Sequence, residues 1–545
     1  MATATYLDRL QGDIQHVVVV YPYTYVNPYN ALPPIGAEYL QAGAVKAGRT
    51  TTLLDMRFED DIREHLEKAD LVCFYGFFED CALFGKWDIH VIDETLAQIP
   101  EHVPVVAGGT GFGEDEETLE RYPRIDAVIK GMPNIPILEL LEAGSPEAIT
   151  NITYRTPEGH VRNDRKTHKL SEDVFPIRAL RNPKYRYECM GMPIDLIRAA
   201  QGCNYHCRFC YQYGKDTDGN YLRWQGRSAE SQFAELQTID ARLLLWVDDD
   251  MTTNMQELDK LSDLLIDAKL NKVMIGTGRV DHVVKGEVST LKKMERAGFL
   301  ALAFGVESLS NDTLRFYRKG QTVEMATKAM GMLKQTNIML VCNFLLGSPG
   351  ETEEDMMEYL WFGGRFGVDH LVTNRLRVPE GSYLHSLIYD KETGEFNEGM
   401  ERIRGPQLKR IKHRIKFGQG TPFRLFNTFL KLMRHRGMKV DPLYFICCAA
   451  ESVTQSTWIE KTHILKVLLF PLKMLARFPP YRWLTRGIAY VLTPIGRAAQ
   501  WLWELIDRPL GISTTILPAI FNFLNRNLLK RQKIRAQLQP GRQIG

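Results

Sequence analysis

Three cysteines, Cys203, Cys207 and Cys210, lie within eight residues of the segment AAQGCNYHCRFCYQYG, directly after the apolar run Ile194–Ala199. This spacing requires a strand that ends in one tight loop, with three thiols turned toward a common centre. Three thiolates so placed can bind three irons of a 4Fe-4S cluster and leave the fourth iron open to a small chelating ligand. The alternatives are a zinc knuckle or three thiols that only pack. Structural zinc takes four ligands, and the nearest fourth, His206, sits cramped inside the same loop. Spacing, strand-end position and the aromatic Phe209 and Tyr211 beside the last thiols favour the iron–sulfur reading. The total of nine cysteines is odd, and no secretory signal with a cleavage site is read at the N-terminus, so a reducing cytosol is expected.

The chain before this motif alternates short apolar runs with helical stretches. Strands are expected at His16–Tyr21, Thr51–Asp55, Leu71–Phe74, Val103–Ala107 and Ala127–Lys130, with a helix over Ile35–Ala47. That order predicts a doubly wound parallel sheet, with its ligand crevice at the strand C-termini near Tyr21, Asp55, Tyr75 and Gly108-Gly109. Residues 149–189 change texture and read as a linker carrying a small hairpin, ITYRTPEGHVRN. Strands recur at Ile194–Ala199, Leu243–Val247, Val273–Thr277, Ala301–Gly305 and Met339–Leu346, so a partial or full (β/α) barrel is expected. The fold class is therefore α/β: a Rossmann-like domain (1–148), the linker (149–189), the barrel (190–400), a helical extension (401–462) and a basic tail (463–545).

At this point the motifs resemble the radical S-adenosylmethionine (SAM) superfamily. The cysteine loop is followed in order by LLLWVDDDMTTN, MIGTGRVD, LAFGVESLSNDTL and NFLLGSPGETEEDM, which resemble the strand ends of its cobalamin-binding-domain class. The resemblance implies a 4Fe-4S cluster on the three cysteines and SAM on its open iron. It assigns SAM contacts loosely to Phe209, Asp248, Asp249, Asp250, Arg279, Glu307, Ser308 and Gly347. Each has a bland counterpart: a strand-end turn or helix cap for the aspartates, an ion pair for Arg279, and a backbone-shaping turn for Gly347 to Glu351.

The first domain resembles the cobalamin-binding domain of cobalamin-dependent radical SAM methylases and of the anaerobic magnesium-protoporphyrin ester cyclase. VVVVYP, LPPIGAEYLQAGAVKAG and VPVVAGGTGFG carry the match, and Gly108 and Gly109 are its expected corrin contacts. Two departures stand out: no D-x-H-x-x-G segment occurs, and GMPN stands at Gly131–Asn134 where an acidic G-E-G-E stretch is usual. The alternative is a Rossmann-like domain that only supports the barrel.

After Ile464 the acids are only Glu504 and Asp507, among many Lys and Arg, although the whole chain carries just +2. Lys466, Lys473 and Arg477, then Arg482 and Arg486, mark basic faces opposite Leu, Phe and Trp. Such helices lie in a membrane interface; a helical cap is the alternative, and nucleic acid is disfavoured because the cations alternate with aliphatic runs. No stretch is long and apolar enough to span a bilayer. The expected protein is a cytoplasmic enzyme peripheral to the inner face of the membrane, taking electrons from a flavodoxin or ferredoxin. Its expected reaction is hydrogen abstraction from an amphiphilic lipid, terpenoid or tetrapyrrole, with cobalamin-dependent methyl transfer. Oxidative cyclisation or oxygen insertion, and a non-catalytic SAM- or cobalamin-binding sensor, remain open.

Overall fold

The computed structural model describes residue 10 and residues 13–24, 30–76, 89–112, 114–210, 223–380, 382–438, 442–444, 446–448 and 463–520. Tyr211, Tyr213 and the chain from residue 521 lie outside them, as does the side chain of Lys466. The chain divides into two compact units: Met1–Asn204 with Gln212–Thr277 and Leu443–Leu475, and Tyr205–Tyr211 with Gly278–Pro442 and Ala476–Gly545.

In the first unit HVVVVY forms strand β1 (His16–Tyr21). Val17 and Val19 enter one apolar cluster with Ala37, Leu40 and Ala44 of helix α1 (Ile35–Lys46), while Val18 and Val20 enter another with Ile62, Leu66 and Ile92. A strand covered on both faces has no polar side, which accounts for the unbroken valine run. Parallel neighbours β2 (Thr50–Asp55), β3 (Leu71–Tyr75), β4 (Val105–Gly108) and β5 (Ala127–Ile129) complete the doubly wound sheet. The hairpin expected to ornament a linker instead belongs to this sheet. Its strands β6 (Ile152–Thr156) and β7 (Gly159–Arg162) add antiparallel to β5, giving the order β2-β1-β3-β4-β5-β6-β7. The reason is burial and edge pairing: Ile152 and Tyr154 enter the core of Ala127 and Ile129, and the β5 backbone is capped by a partner.

The same unit begins the second sheet. Strand β8 (Met192–Ile197) pairs in parallel with β9 (Leu243–Trp246), and β9 with β10 (Val273–Gly278). Helix α2 (Ala229–Gln237), capped by Ser228, precedes β9. A run of buried ions joins these parts. Arg181 bonds Glu38 of α1 at 2.6 Å and Asp195 of β8 at 2.7 Å; Arg178 reaches Glu235 of α2 at 2.6 Å, and Arg227 pairs with the same carboxylate.

In the second unit β11 (Phe299–Glu307), β12 (Met339–Leu346) and β13 (His370–Arg375) run in parallel, separated by helices that include α3 (Glu353–Phe366). This repeated βα alternation is the expected partial barrel. Strand β13 was not among the expected strands, because HLVTNR has only Leu371 and Val372 as its apolar signal. Helices α4 (Gly405–Gln419) and α5 (Pro422–Arg434) follow, then α6 (His463–Arg477), which ends at the boundary between units, and α7 (Pro479–Leu510). Gly496 lets α7 cross α5 closely, since a Cβ there would lie 2.5 Å from Asn427 Oδ1.

The tail departs from expectation in one respect. Arg486 donates to the His435 carbonyl at 3.1 Å and Arg482 to that of Met438, so these two cations turn onto the protein and not outward. The carbonyls at the end of α5 need donors, and long guanidinium arms supply them. The outward face of α7 is apolar: Leu484, Ile488, Val491, Ile495, Leu502 and Ile506 form one exposed stripe. No helix among the described residues is long and apolar enough to cross a membrane.

Replacing Glu235 by Ala leaves Arg227 without its carboxylate and Arg178 with only Asp195, 3.6 Å away, and breaking buried pairs of this kind costs about 3–5 kcal/mol. Thermal unfolding of E235A should show that loss, whereas E230A, on the exposed face of the same helix, should stay within about 0.5 kcal/mol of the parent.

Candidate active site

In the first unit, β8 runs straight into the cysteine loop, and the aspartates at the end of β9 hold the chain between them. Asp248, buried, accepts the Ala199 N–H at 2.8 Å. Asp249 accepts the Gly202 N–H at 2.8 Å, one residue before Cys203. Asp250 caps the turn that follows, accepting the Thr252 N–H at 3.1 Å and the Thr252 and Thr253 hydroxyls at 2.8 and 2.9 Å. Burial pushes the Asp248 carboxyl up to about 7. Asp249 reaches solvent, yet the protein crowding it still raises its carboxyl above the ordinary range. Of the three, Asp249 is the one that stays open to a ligand. Trp224 packs beside this turn, its indole N–H on the Asp250 carbonyl at 2.9 Å.

Of the three motif cysteines, Cys207 is buried and Cys203 and Cys210 are half-buried. The loop from Tyr205 to Cys210 is tied into the second unit. Its Arg208 N–H donates to the Tyr317 carbonyl at 2.9 Å, and the Cys210 N–H to that of Cys207 at 3.0 Å. The Arg279 guanidinium lies 3.4 Å from the centre of the Tyr205 ring, bonds Asp281 at 2.9 Å, and donates to the Lys319 carbonyl at 2.5 Å. The Tyr205 hydroxyl also donates to Asp281, and burial with that carboxylate raises it to about 12. Gly320 is required here: its φ is +70°, and a Cβ would press the Tyr205 ring at 2.8 Å.

Lys319 is the hub of this side. Its ammonium bonds Glu307 at 3.0 Å and lies 5.5 Å from the Phe209 ring centre, which packs edge-on against Tyr317. Glu307 ends β11 at a β-bulge with φ +68°, left-handed backbone that costs a non-glycine residue energy. Glu351 closes its own turn, accepting the Gly347 and Ser348 N–H groups at 2.7 and 3.0 Å and the Tyr359 hydroxyl. Tyr359 also reaches Ser308 at 3.5 Å, and Ser348 meets Tyr317 at 2.6 Å. In the second unit Arg279 contacts the cysteine segment through Tyr205, and Glu307 reaches it through Lys319 beside Phe209, whereas Ser308 and Gly347 are engaged with Tyr359 and Glu351. Lys319, Tyr205 and Asp281 went unnoticed in the sequence, although a tyrosine inside the motif and the Lys319-Gly320 step were visible signals.

The two glycines of the first domain make close contacts within their own domain. Gly109 has φ +90°, and a Cβ there would lie 2.0 Å from the Gly76 carbonyl; at Gly108 it would strike Ile129 at 2.8 Å. Gly109 is thus pressed by the Gly76 backbone and Gly108 by the Ile129 side chain. At the end of β2, Asp55 is likewise engaged, by Arg57 at 2.7 Å and the Tyr187 hydroxyl at 3.1 Å. Among the described residues, no three His, Cys, Asp or Glu groups converge on a single metal ion.

The family described as the radical SAM superfamily matches residues 197–362, from the end of β8 through α3. This chain carries a radical SAM domain. Such a domain implies a 4Fe-4S cluster and SAM. Among curated relatives, an uncharacterized methyltransferase of Pyrococcus horikoshii is 26% identical over 356 residues, 62% of this chain and 74% of that protein. The anaerobic magnesium-protoporphyrin IX monomethyl ester cyclase of Synechocystis is 22% identical over 61% of this chain and 68% of its own. The fold is that of the cobalamin-dependent SAM radical enzyme OxsB, with aqua-cobalamin bound, at a TM-score of 0.59 and 14% identity over 92% of this chain and 76% of that one. The radical SAM methyltransferase TsrM of Kitasatospora setae, with cobalamin and a [4Fe-4S] cluster bound, gives 0.55 and 17% over 69% and 75%.

The raised Asp248 carboxyl makes a pH prediction. The folded chain holds this proton at pH values where the unfolded chain, near 3.8, has lost it, so the group withdraws stability as pH rises from about 4 to about 7. D248N keeps an acceptor for the Ala199 N–H and cannot ionise. Urea unfolding across that window should show the variant gaining on the order of 3 kcal/mol on the parent as pH rises.

Proposed function

We propose that Cys203, Cys207 and Cys210 hold a 4Fe-4S cluster, that SAM binds its open iron, and that the enzyme abstracts hydrogen from an unactivated carbon of an amphiphilic substrate. The observation that carries this reading is the placement of the three thiols on one short segment after β8, whose approach is fixed by Asp248 and Asp249. Three thiolates at this spacing are the donor set of a cluster with an open iron, whereas structural zinc takes four ligands. When bound, such a cluster supplies one electron to the sulfonium of SAM, whose carbon–sulfur bond then breaks to give a 5′-deoxyadenosyl radical.

The chain's own residues bind and position. Asp249 offers an acceptor to the SAM ammonium or ribose hydroxyls. Arg279 and Lys319 keep the loop segment and the Glu307 strand end in register, and Phe209, packed on Tyr317, anchors the segment between Cys207 and Cys210. Cobalamin is the proposed second cofactor, supplying a methyl carrier. Its support is the fold shared with OxsB and TsrM. The relation to the cyclase favours a second reading, oxidative ring formation in which no methyl is transferred. The apolar stripe of α7 supports attachment to a lipid interface.

Two measurements test these points. After anaerobic reconstitution with iron and sulfide, the parent should show a visible charge-transfer band and cleave SAM under reductant; C207A should lose SAM cleavage by at least about a thousandfold, the scale of removing a group the chemistry requires. Retained cleavage would remove the cluster assignment. Exchanging Leu484, Val491 and Ile495 together for Gln should weaken sedimentation with liposomes by about tenfold or more, since each exposed aliphatic contributes on the order of 1 kcal/mol when it enters lipid. Unchanged sedimentation would discard the interface.

A further inference from the structure

At the ends where β12 and β13 begin, opposite to Glu307 and Gly347, the second unit forms an open cleft of about 280 Å³. Its walls are the turn before β12, the C-terminal end of α3, and the facing sides of α5 and α7. Six cations line it: Lys334, Arg365, Arg424, Lys431, Arg434 and Arg497. Two carboxylates oppose them, and both are already engaged. Asp369 accepts the Leu340 N–H at 2.8 Å, the Thr428 hydroxyl at 2.7 Å and the Lys431 ammonium at 2.7 Å. Glu504 accepts Gln500 at 2.9 Å and Arg424 Nη2 at 3.2 Å.

The remaining cations have no such match. Among the described residues, Lys334, Arg365, Arg434 and Arg497 pair with no carboxylate. Arg424 is 94% buried (6% exposed), spends Nη2 on Glu504 and the Leu360 carbonyl, and leaves Nη1 buried without a hydrogen-bond partner. An unpaired guanidinium donor in the interior carries a desolvation cost that only an acceptor removes. The cations also crowd one another: Lys334 is held below the usual lysine range by burial and by Arg497 and Lys431, and Arg434 is lowered by burial and Arg497. Lys334 donates to the Arg365 carbonyl at 3.1 Å, covering a carbonyl at the end of α3 that would otherwise face an anion.

We propose that this cleft binds a phosphate-class oxyanion, with Arg424 at its floor and Arg434, Arg497 and Lys334 closing around it. Planar guanidinium forks match tetrahedral oxyanions with several acceptor oxygens better than they match a halide. The volume takes a phosphate or a small headgroup. Trp501 lies on the wall, on the same helix as the exposed apolar stripe, so the phosphate is either free in solution or carried by an anionic lipid. The site uses no residue of the cysteine loop, and its failure and that of the radical SAM reading are independent.

The experiment uses the full chain as purified, its thermal midpoint followed with inorganic phosphate and with chloride at equal ionic strength. Sedimentation is followed in parallel with phosphatidylglycerol-containing and pure phosphatidylcholine vesicles. The variant is R497Q with K334Q, both at exposed positions, with its circular dichroism checked against the parent. A soluble occupant predicts a phosphate-specific rise of the midpoint in the parent, with apparent affinity at least tenfold weaker in the variant. A lipid occupant predicts binding to phosphatidylglycerol vesicles that falls at least tenfold in the variant and is competed by phosphate. If phosphate does no more than chloride, and vesicle binding is absent or unchanged in the variant, the proposal is overturned.

Discussion

The run of buried charges from Glu38 through Arg181, Asp195, Arg178 and Glu235 to Arg227 is the interaction on which the first unit turns. Ions taken out of water are tolerated only when each meets a partner, so every member fixes the next. The consequence is positional. Helix α1 of the doubly wound sheet, strand β8 and helix α2 are set together, and β8 is the strand whose end becomes the cysteine loop. An apolar interface would have held the same elements as strongly with more freedom to slide. Opposite charges at fixed positions define a register, and strand-end chemistry needs that register.

The architecture was legible where burial is symmetric or periodic. The valine run of β1 announced a strand covered on both faces, and the strands at the ends of which the motifs sit, β8 to β12, appeared in order. What was not legible depended on partners distant in sequence. The hairpin at Ile152 carried no sign that its edge would be claimed by β5, and β13 is half polar because it is an edge strand paired on one side with β12, with His370, Asn374 and Arg375 exposed. Arg482 and Arg486 had the spacing of an outward basic face, but the unsatisfied carbonyls after α5 decided their direction.

The candidate site shows the same division. The cysteine spacing, the acidic strand end and the turn at Gly347 were visible because each is local. The roles within them were less so. Asp250 is a cap, Asp248 a backbone clamp, and Gly109 a point where two chain segments touch, while Asp249 alone of the three aspartates keeps an outlook to a ligand. A residue type says what chemistry is available; only the neighbours say whether it has been spent.

The clamps from Asp248 and Asp249 to Ala199 and Gly202 are made of carboxylate and backbone alone, with no metal in them. On the proposed reading, the approach to Cys203 keeps its path whether or not irons are in place. Damage by oxygen would then strip the loop without unravelling the strand that feeds it. On that reading, reloading would need iron and sulfide but no refolding of the strand end.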